Sequence, residues 1–413
     1  MKGGDLRTWQ NVNALSTVGD VAVFGLCSND RRAAEVPPRA AEIWCSSSDP
    51  ALAYPPPRDR ELVSRAWFLD PSAHPSDIYY SERACAEIED LVARYRPDLV
   101  VIERLWLQKY INGLERFGCR IVLDNHNVET VLQQQLAAST NGGRHRPRAV
   151  SDSLVARTHA LERQAAYNVD QIWVCSSDDA ETMHALFAPP APVCVVPNTI
   201  DVDRYRPPER LQRPAELDST KPVLIYPAMF GYAPNAAAAE FLLDTLVPEL
   251  RADGYDHRLA LVGGMPTPAM CAAAGVDRDI VVTGTVADVR PYLWASSVMV
   301  VPLLEGSGTR FKILEAFAAG IPVLSTARGA EGLSVQHGKH LLIAEGGEMA
   351  RAIESLATDR ELADRLSRNG LDLVRNLYSW DVAGRAVVNA VKTLERQPER
   401  QRTKHALCRS NKP

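Results

Sequence analysis

The chain reads as an α/β protein with two parallel sheets, and three observations predict it. Short apolar runs alternate with amphipathic stretches of roughly 10–15 residues along most of the length. A proline-rich segment at 197–222, carrying Pro207, Pro208 and Pro214 and little periodicity, divides that alternation in two. In the second half an apolar strand runs directly into a glycine-rich turn and a helix, at 300–320. Strands alternating with helices of that length build βαβ units, and their number fits two Rossmann-like sheets better than one. Ligands of open parallel sheets bind outside the carboxyl ends of the strands, so the expected site is the cleft between the two sheets.

In the first half the apolar runs place strands at 21–25, 99–102, 120–123, 171–174 and 193–196. Helices are expected over 6–15, 80–95, 128–138, 150–169 and 178–187. In the second half strands fall at 223–226, 259–262, 280–282, 298–301, 323–325 and 341–343, with helices over 235–247, 288–296, 311–319, 347–357 and 360–376. The stretch 141–148 is glycine-rich and basic and reads as a loop. The polar, charged end from 396 to 413 reads as a disordered tail. The expected organisation is an acceptor-side domain at 1–197, a second domain at 198–380, a helix at 381–395 and the tail.

Composition narrows the function. With 46 Lys and Arg against 51 Asp and Glu, the net charge is −5, which argues against a nucleic-acid partner. The 8 cysteines are scattered singly, and no Cys/His cluster has metal-ligand spacing. Those inside strand-like runs, such as Cys175 and Cys194, read as buried thiols of a reducing compartment. No leader-like apolar region opens the chain, and no apolar stretch approaches the ~20 residues of a spanning helix. A cytoplasmic location is expected, with membrane contact at most peripheral.

The most informative run is Glu305-Gly306-Ser307-Gly308-Thr309-Arg310-Phe311-Lys312-Ile313-Leu314-Glu315-Ala316, which follows an apolar strand. Thr309 suits the N-cap and Gly320 the C′ position of the helix. Glycines let backbone N–H groups approach a ligand, and a helix N-terminus attracts anions. Arg310 and Lys312 are cations at the helix end where cations are unfavourable. A diphosphate bound there would explain them; two surface cations on an ordinary strand–turn–helix is the plainer alternative.

This run resembles the donor-site signature of family-4 retaining glycosyltransferases, in a subgroup reading G-x-G-T-R-x-K-x-x-E-A. Further segments match in order: Asp124-Asn125-His126-Asn127-Val128-Glu129, Pro197-Asn198-Thr199-Ile200-Asp201, Met229-Phe230-Gly231-Tyr232-Ala233-Pro234-Asn235, and Tyr378-Ser379-Trp380. The resemblance implies a GT-B fold, with two facing Rossmann-like domains, and sugar transfer from a nucleoside-diphosphate donor with retention of configuration. Arg310 and Lys312 would hold the diphosphate and offset charge developing on it. Glu315 would bind donor hydroxyls. Gly306, Ser307, Gly308, Thr309, Gly231 and Gly263 would line the donor pocket. His126 would stand at the cleft edge facing the transferred sugar or the acceptor. Gly3, Gly4 and Glu129 would lie on the acceptor side, although Glu129 equally suits a structural place in the first turn of a helix capped by Asn127. No metal and no other cofactor is implied. The expected partners are a UDP- or GDP-sugar and a small-molecule, glycan or lipid-linked acceptor.

Three departures from the family stand out. Many members carry two glutamates eight residues apart; eight before Glu315 this chain has Ser307, and either Glu305 or backbone N–H groups would serve instead. The stretch Ala228-Met229-Phe230-Gly231 lacks the Arg and Lys that many members carry there, which shifts the phosphate burden to Arg310 and Lys312. The apolar strand that usually leads into a Gly-Gly loop is missing before Gly3 and Gly4. A catalytically degenerate binding or activating subunit, or a nucleotide-sugar epimerase of the same architecture, are the rival readings.

Overall fold

The computed structural model describes residues 3–26, 42–45, 75–138, 148–305 and 310–397. Among the described residues twelve strands run in chain order: β1 Ala22–Gly25, β2 Glu42–Cys45, β3 Leu99–Glu103, β4 Arg120–Asp124, β5 Gln171–Val174, β6 Val193–Val195, β7 Val223–Pro227, β8 Arg258–Val262, β9 Ile280–Val282, β10 Val298–Val301, β11 Val323–Ser325 and β12 Leu342–Ile343. They form a four-stranded sheet ordered β3-β4-β5-β6, a six-stranded sheet ordered β12-β11-β10-β7-β8-β9, and a separate β1-β2 pair. Every pairing is parallel. The α/β class with two parallel sheets is borne out. The central strands read as unbroken apolar runs because helices cover both faces: Ile121, Val122 and Leu123 of β4 and Leu224, Ile225 and Tyr226 of β7 are fully buried.

Each large sheet has its own core. Leu224, Leu261, Met299, Phe317 and Ile353 belong to that of the six-stranded sheet. Ile121, Leu123, Ile172, Met183 and Phe187 belong to that of the four-stranded sheet. A third cluster joins the two ends of the chain. Ala14 of the Gly3–Leu15 helix and Val387, Ala390 and Leu394 of the Trp380–Glu395 helix pack on Val122, Trp173 and Val196. The last helix therefore crosses back over the four-stranded sheet. It does so where Ile200 and Ser379 form a parallel bridge, with Ile200 N–H donating to the Tyr378 carbonyl at 2.9 Å. Among the described residues, no helix is long and apolar enough to cross a membrane.

Several local expectations change. The first helix begins at Gly3, so Gly3 and Gly4 open a helix rather than form a loop. No described strand pairs with the outer edge of β3. The helix expected over 235–247 is broken by a π-turn at Leu242–Leu246 just before Pro248, whose missing N–H and ring prevent a regular α-helix there. β2 and the Pro268–Val276 helix lie outside the expected elements. Cys119 and Cys175 are buried, whereas Cys271 is exposed.

Candidate functional site

At the carboxyl end of β4 the chain turns from Asp124 through His126 into the Glu129–Ala138 helix. Asp124 is fully buried and bonded from the first helix: Arg7 Nε donates to Oδ2 at 2.8 Å and Asn11 Nδ2 to Oδ2 at 2.8 Å. The Arg7 guanidinium also pairs with Oδ1, and it donates to the Val196 carbonyl at 2.8 Å and to Asn198 Oδ1 at 2.9 Å. From the same helix Gln10 donates to the Pro197 carbonyl and accepts from Thr199 N–H at 2.8 Å. The first helix thus ties the end of β4 to the segment joining the two sheets. His126 Nε2 lies 3.6 Å from Asp124 Oδ2 and has no hydrogen-bond partner among the described residues. Burial lowers its pKa to about 4, against the pull of Asp124, so the imidazole is neutral near neutral pH.

Glu129 is buried in the first turn of its helix, and burial plus nearby Glu162 raises it to about 7. Asn127 does not cap the helix: its side chain donates to Glu129 Oε1 at 3.4 Å. The free N–H groups of Glu129 and Thr130 instead donate to Glu162, each at 2.9 Å, from the neighbouring Arg148–Asn168 helix. Beside them, Arg104 follows β3 at φ 78°, ψ 141°, a strained conformation for a residue with a side chain. Glu103, just before it, is raised to about 7 by burial and by Asp124.

On the six-stranded sheet, β10 leads to the Phe311–Ala318 helix. Gly306, Ser307, Gly308 and Thr309 lie outside the described residues. The helix starts at Phe311, so Arg310 rather than Thr309 occupies the N-cap position, and it makes no side-chain cap bond. At the other end Gly320, at φ 74°, donates to Phe317 O and Ile321 N–H to Ala316 O, a Schellman closure. Arg310 is buried; its Nη2 donates to the Arg328 carbonyl at 3.1 Å and lies 3.9 Å from Glu331. Lys312 is half-buried, donating to Tyr226 Oη and Asn235 Oδ1, each at 3.2 Å. Glu315 Oε1 accepts from Tyr205 Oη at 2.7 Å. Tyr205 sits in the Val202–Tyr205 turn of the connecting segment, held by Trp294 Nε1 donating to its carbonyl at 2.7 Å. Glu305 is half-buried and raises the pKa of Tyr232 by its charge, after the larger effect of burial.

Gly231 and Gly263 lie in the loops after β7 and β8, which are joined by the Phe230 N–H donating to the Gly264 carbonyl at 2.9 Å. Gly263 has φ 148°, and a Cβ there would collide with the Ala228 carbonyl oxygen. A Cβ on Gly231 would press only on the flexible Met265 side chain. Arg310, Lys312 and Glu315 thus share one helix end with the 228–235 loop, while His126 and Glu129 belong to the other sheet. Among the described residues, no group of three or more His, Cys, Asp or Glu is placed to hold a metal ion.

Sequence reasoning missed Arg7, Tyr205, Glu162 and the pairing of Asn235 with Lys312. Only Arg7 left a local trace: with Asn11 four residues on, it places two polar groups on one helix face.

Known proteins agree with this architecture. Residues 21–199 match the family described as glycosyl transferase 4-like domain, and residues 221–359 match glycosyl transferases group 1. The chain is 28% identical over 272 residues to the GDP-mannose-dependent alpha-(1-6)-phosphatidylinositol monomannoside mannosyltransferase of Mycobacterium tuberculosis, covering 60% of this chain and 66% of that protein. It is 27% identical over 312 residues to the D-inositol 3-phosphate glycosyltransferase of Rhodococcus erythropolis, covering 70% of this chain and 67% of that one. The matches thus span about two thirds of the relatives' lengths. The fold is similar to that of sucrose-phosphate synthase from Thermosynechococcus elongatus, with a TM-score of 0.69 at 18% identity over 94% of this chain and 92% of that one. The chain belongs to the group 1, family-4 glycosyltransferases and has the two-sheet GT-B fold.

Proposed function

We propose that the chain transfers a sugar from a nucleoside-diphosphate donor to an acceptor hydroxyl with retention of configuration. In this reading 198–380 is the donor side and 1–197 the acceptor side. The observation that carries it is the helix end after β10. There, a lysine without a carboxylate partner among the described residues, a buried arginine and a glutamate clamped by Tyr205 stand together. Arg310 and Lys312 take the diphosphate, and the Glu315 oxygen not bonded to Tyr205 takes a donor hydroxyl. The G-x-G-T-R-x-K-x-x-E-A subgroup pattern assigns Gly306, Ser307, Gly308 and Thr309 to the donor pocket as well. Neutral His126 bonds a hydroxyl of the transferred sugar or the acceptor.

A covalent glycosyl intermediate needs a free carboxylate nucleophile. Asp124 is unsuited to that role, since Arg7 and Asn11 occupy it. In this reading catalysis rests on positioning and on stabilising the leaving diphosphate. GDP-mannose, named for the mycobacterial relative, and UDP-sugars are the donors to test first. The phosphoinositol and inositol phosphate acceptors of the relatives suggest a polyol acceptor bearing phosphate, either free or on a lipid at a membrane surface.

Thermal shifts against UDP-, GDP-, dTDP- and ADP-sugars, with Arg310→Ala as control, test the donor site. A selective shift that Arg310→Ala abolishes is the expected result, followed by transfer to inositol phosphate or phosphatidylinositol-type acceptors. A well-folded chain that shifts with none of them refutes the donor-site reading. One that binds donor and never transfers or hydrolyses it refutes the enzymatic one.

A further inference from the structure

Lys312 is held in an unusual way. Its Nζ reaches Tyr226 Oη and Asn235 Oδ1, and stands 4.3 Å from the centre of the Tyr226 ring. Tyr226 Oη in turn donates to Asn235 Oδ1 at 3.1 Å, and Asn235 Nδ2 donates to the Met229 carbonyl at 3.0 Å. Asn235 therefore joins three pieces of the site: the central strand β7, the loop after it, and the helix that carries Lys312. All of the ammonium's partners are neutral, and no described carboxylate lies within ion-pair distance of it. Neutral acceptors only partly offset the cost of desolvating an ammonium. The 228–231 stretch supplies no cation of its own, and Asn235, bonded to both the Met229 carbonyl and Lys312, ties it to one.

We propose that Tyr226 and Asn235 form a cradle that holds Lys312 in register for the donor diphosphate, and that Lys312 acquires its full charge when the diphosphate arrives. Asn235 is in this sense a positioning residue. The inference rests on the donor-site reading above. The titratable groups facing Lys312 are Arg310 and Glu315 of its own helix segment, Tyr226 of β7, and Tyr205 of the connecting turn behind Glu315. Desolvation, joined by the charge of Arg310 and opposed by that of Glu315, lowers the Lys312 pKa to about 7. A diphosphate supplies the missing counter-charge. Nζ then takes one proton from solvent, and nucleotide affinity falls as pH rises, by up to about tenfold per pH unit above roughly 7.

The test uses the full chain with isotopically labelled lysine side chains, titrated by NMR with and without UDP or GDP. Lys312→Met assigns the signal, and Asn235→Asp places an isosteric charge against the ammonium. In the free wild type one lysine should titrate near neutrality, should vanish in Lys312→Met, and should move up by about two units or more in Asn235→Asp. Calorimetry in two buffers of different ionisation heat should give uptake approaching one proton per nucleotide at roughly pH 8 in the wild type, and near none in Asn235→Asp. If every lysine of the free wild type titrates above roughly pH 9, the cradle is overturned regardless of any ligand. If a nucleotide binds and the signal stays in place, the charge-completion step falls while the donor site stands. If none of UDP, GDP, dTDP and ADP binds, both fall together.

Discussion

Replacing Arg7 by methionine tests the link between the first helix and the end of β4. The guanidinium is 1% exposed and Asp124 is fully buried, so the substitution leaves a carboxylate in the interior with Asn11 as its remaining hydrogen-bond donor. Removing one member of a buried pair costs about 3–5 kcal/mol, mostly through the stranded charge. The Val196 carbonyl and Asn198 Oδ1 lose donors in the same step, which adds to that cost. Removing the charge as well, in Arg7→Met with Asp124→Leu, should recover a large part, leaving a coupling energy of roughly 2–3 kcal/mol. The assay is urea unfolding followed by fluorescence, since Trp173 is buried in the cluster beneath Arg7's helix. The His126 C–H signal gives a second readout. With Arg7 gone, its repulsion is lost and Asp124 is free to turn to the imidazole 3.6 Å away, so the His126 pKa should rise from about 4. A loss under about 1 kcal/mol, or strictly additive single and double variants, would refute the reasoning.

Three further outcomes are expected. Glu129→Gln should become more stable relative to wild type as pH rises from about 4.5 to 7. A carboxyl raised to about 7 in the fold favours folding at low pH and loses that contribution as it ionises, up to about 3 kcal/mol. Parallel unfolding curves at both pH extremes would contradict it. Gly263→Ala should destabilise the chain by more than about 2 kcal/mol, because the backbone is left-handed there and the methyl meets the Ala228 carbonyl; an unchanged melting temperature would count against the packing. Tyr205→Phe should weaken donor binding roughly tenfold by releasing Glu315 from its 2.7 Å bond, with little change in acceptor KM; an equal loss on both substrates would point to general damage instead.

The repeating strands and helices, the irregular stretch between β6 and β7 and the glycine just past the helix end at Gly320 were legible in the residues alone, because they are written in short-range pattern: apolar periodicity, proline clusters, a glycine where φ must be positive. The sequence also marked Arg310, Lys312 and Glu315, which share one helix end. What answers each of these groups was not legible. Arg7 and Asp124 are 117 positions apart, and Lys312 and Asn235 are 77 apart. Glu162 reaches back 33 positions to cap the helix that begins at Glu129. The periodicity of one segment carries no information about the charge that another brings against it. Only the packing of the first helix over the end of β4, and of the connecting segment against the helix after β10, decided which buried charges are neutralised. It also decided which charge, on Lys312, the protein's own carboxylates leave unpaired among the described residues.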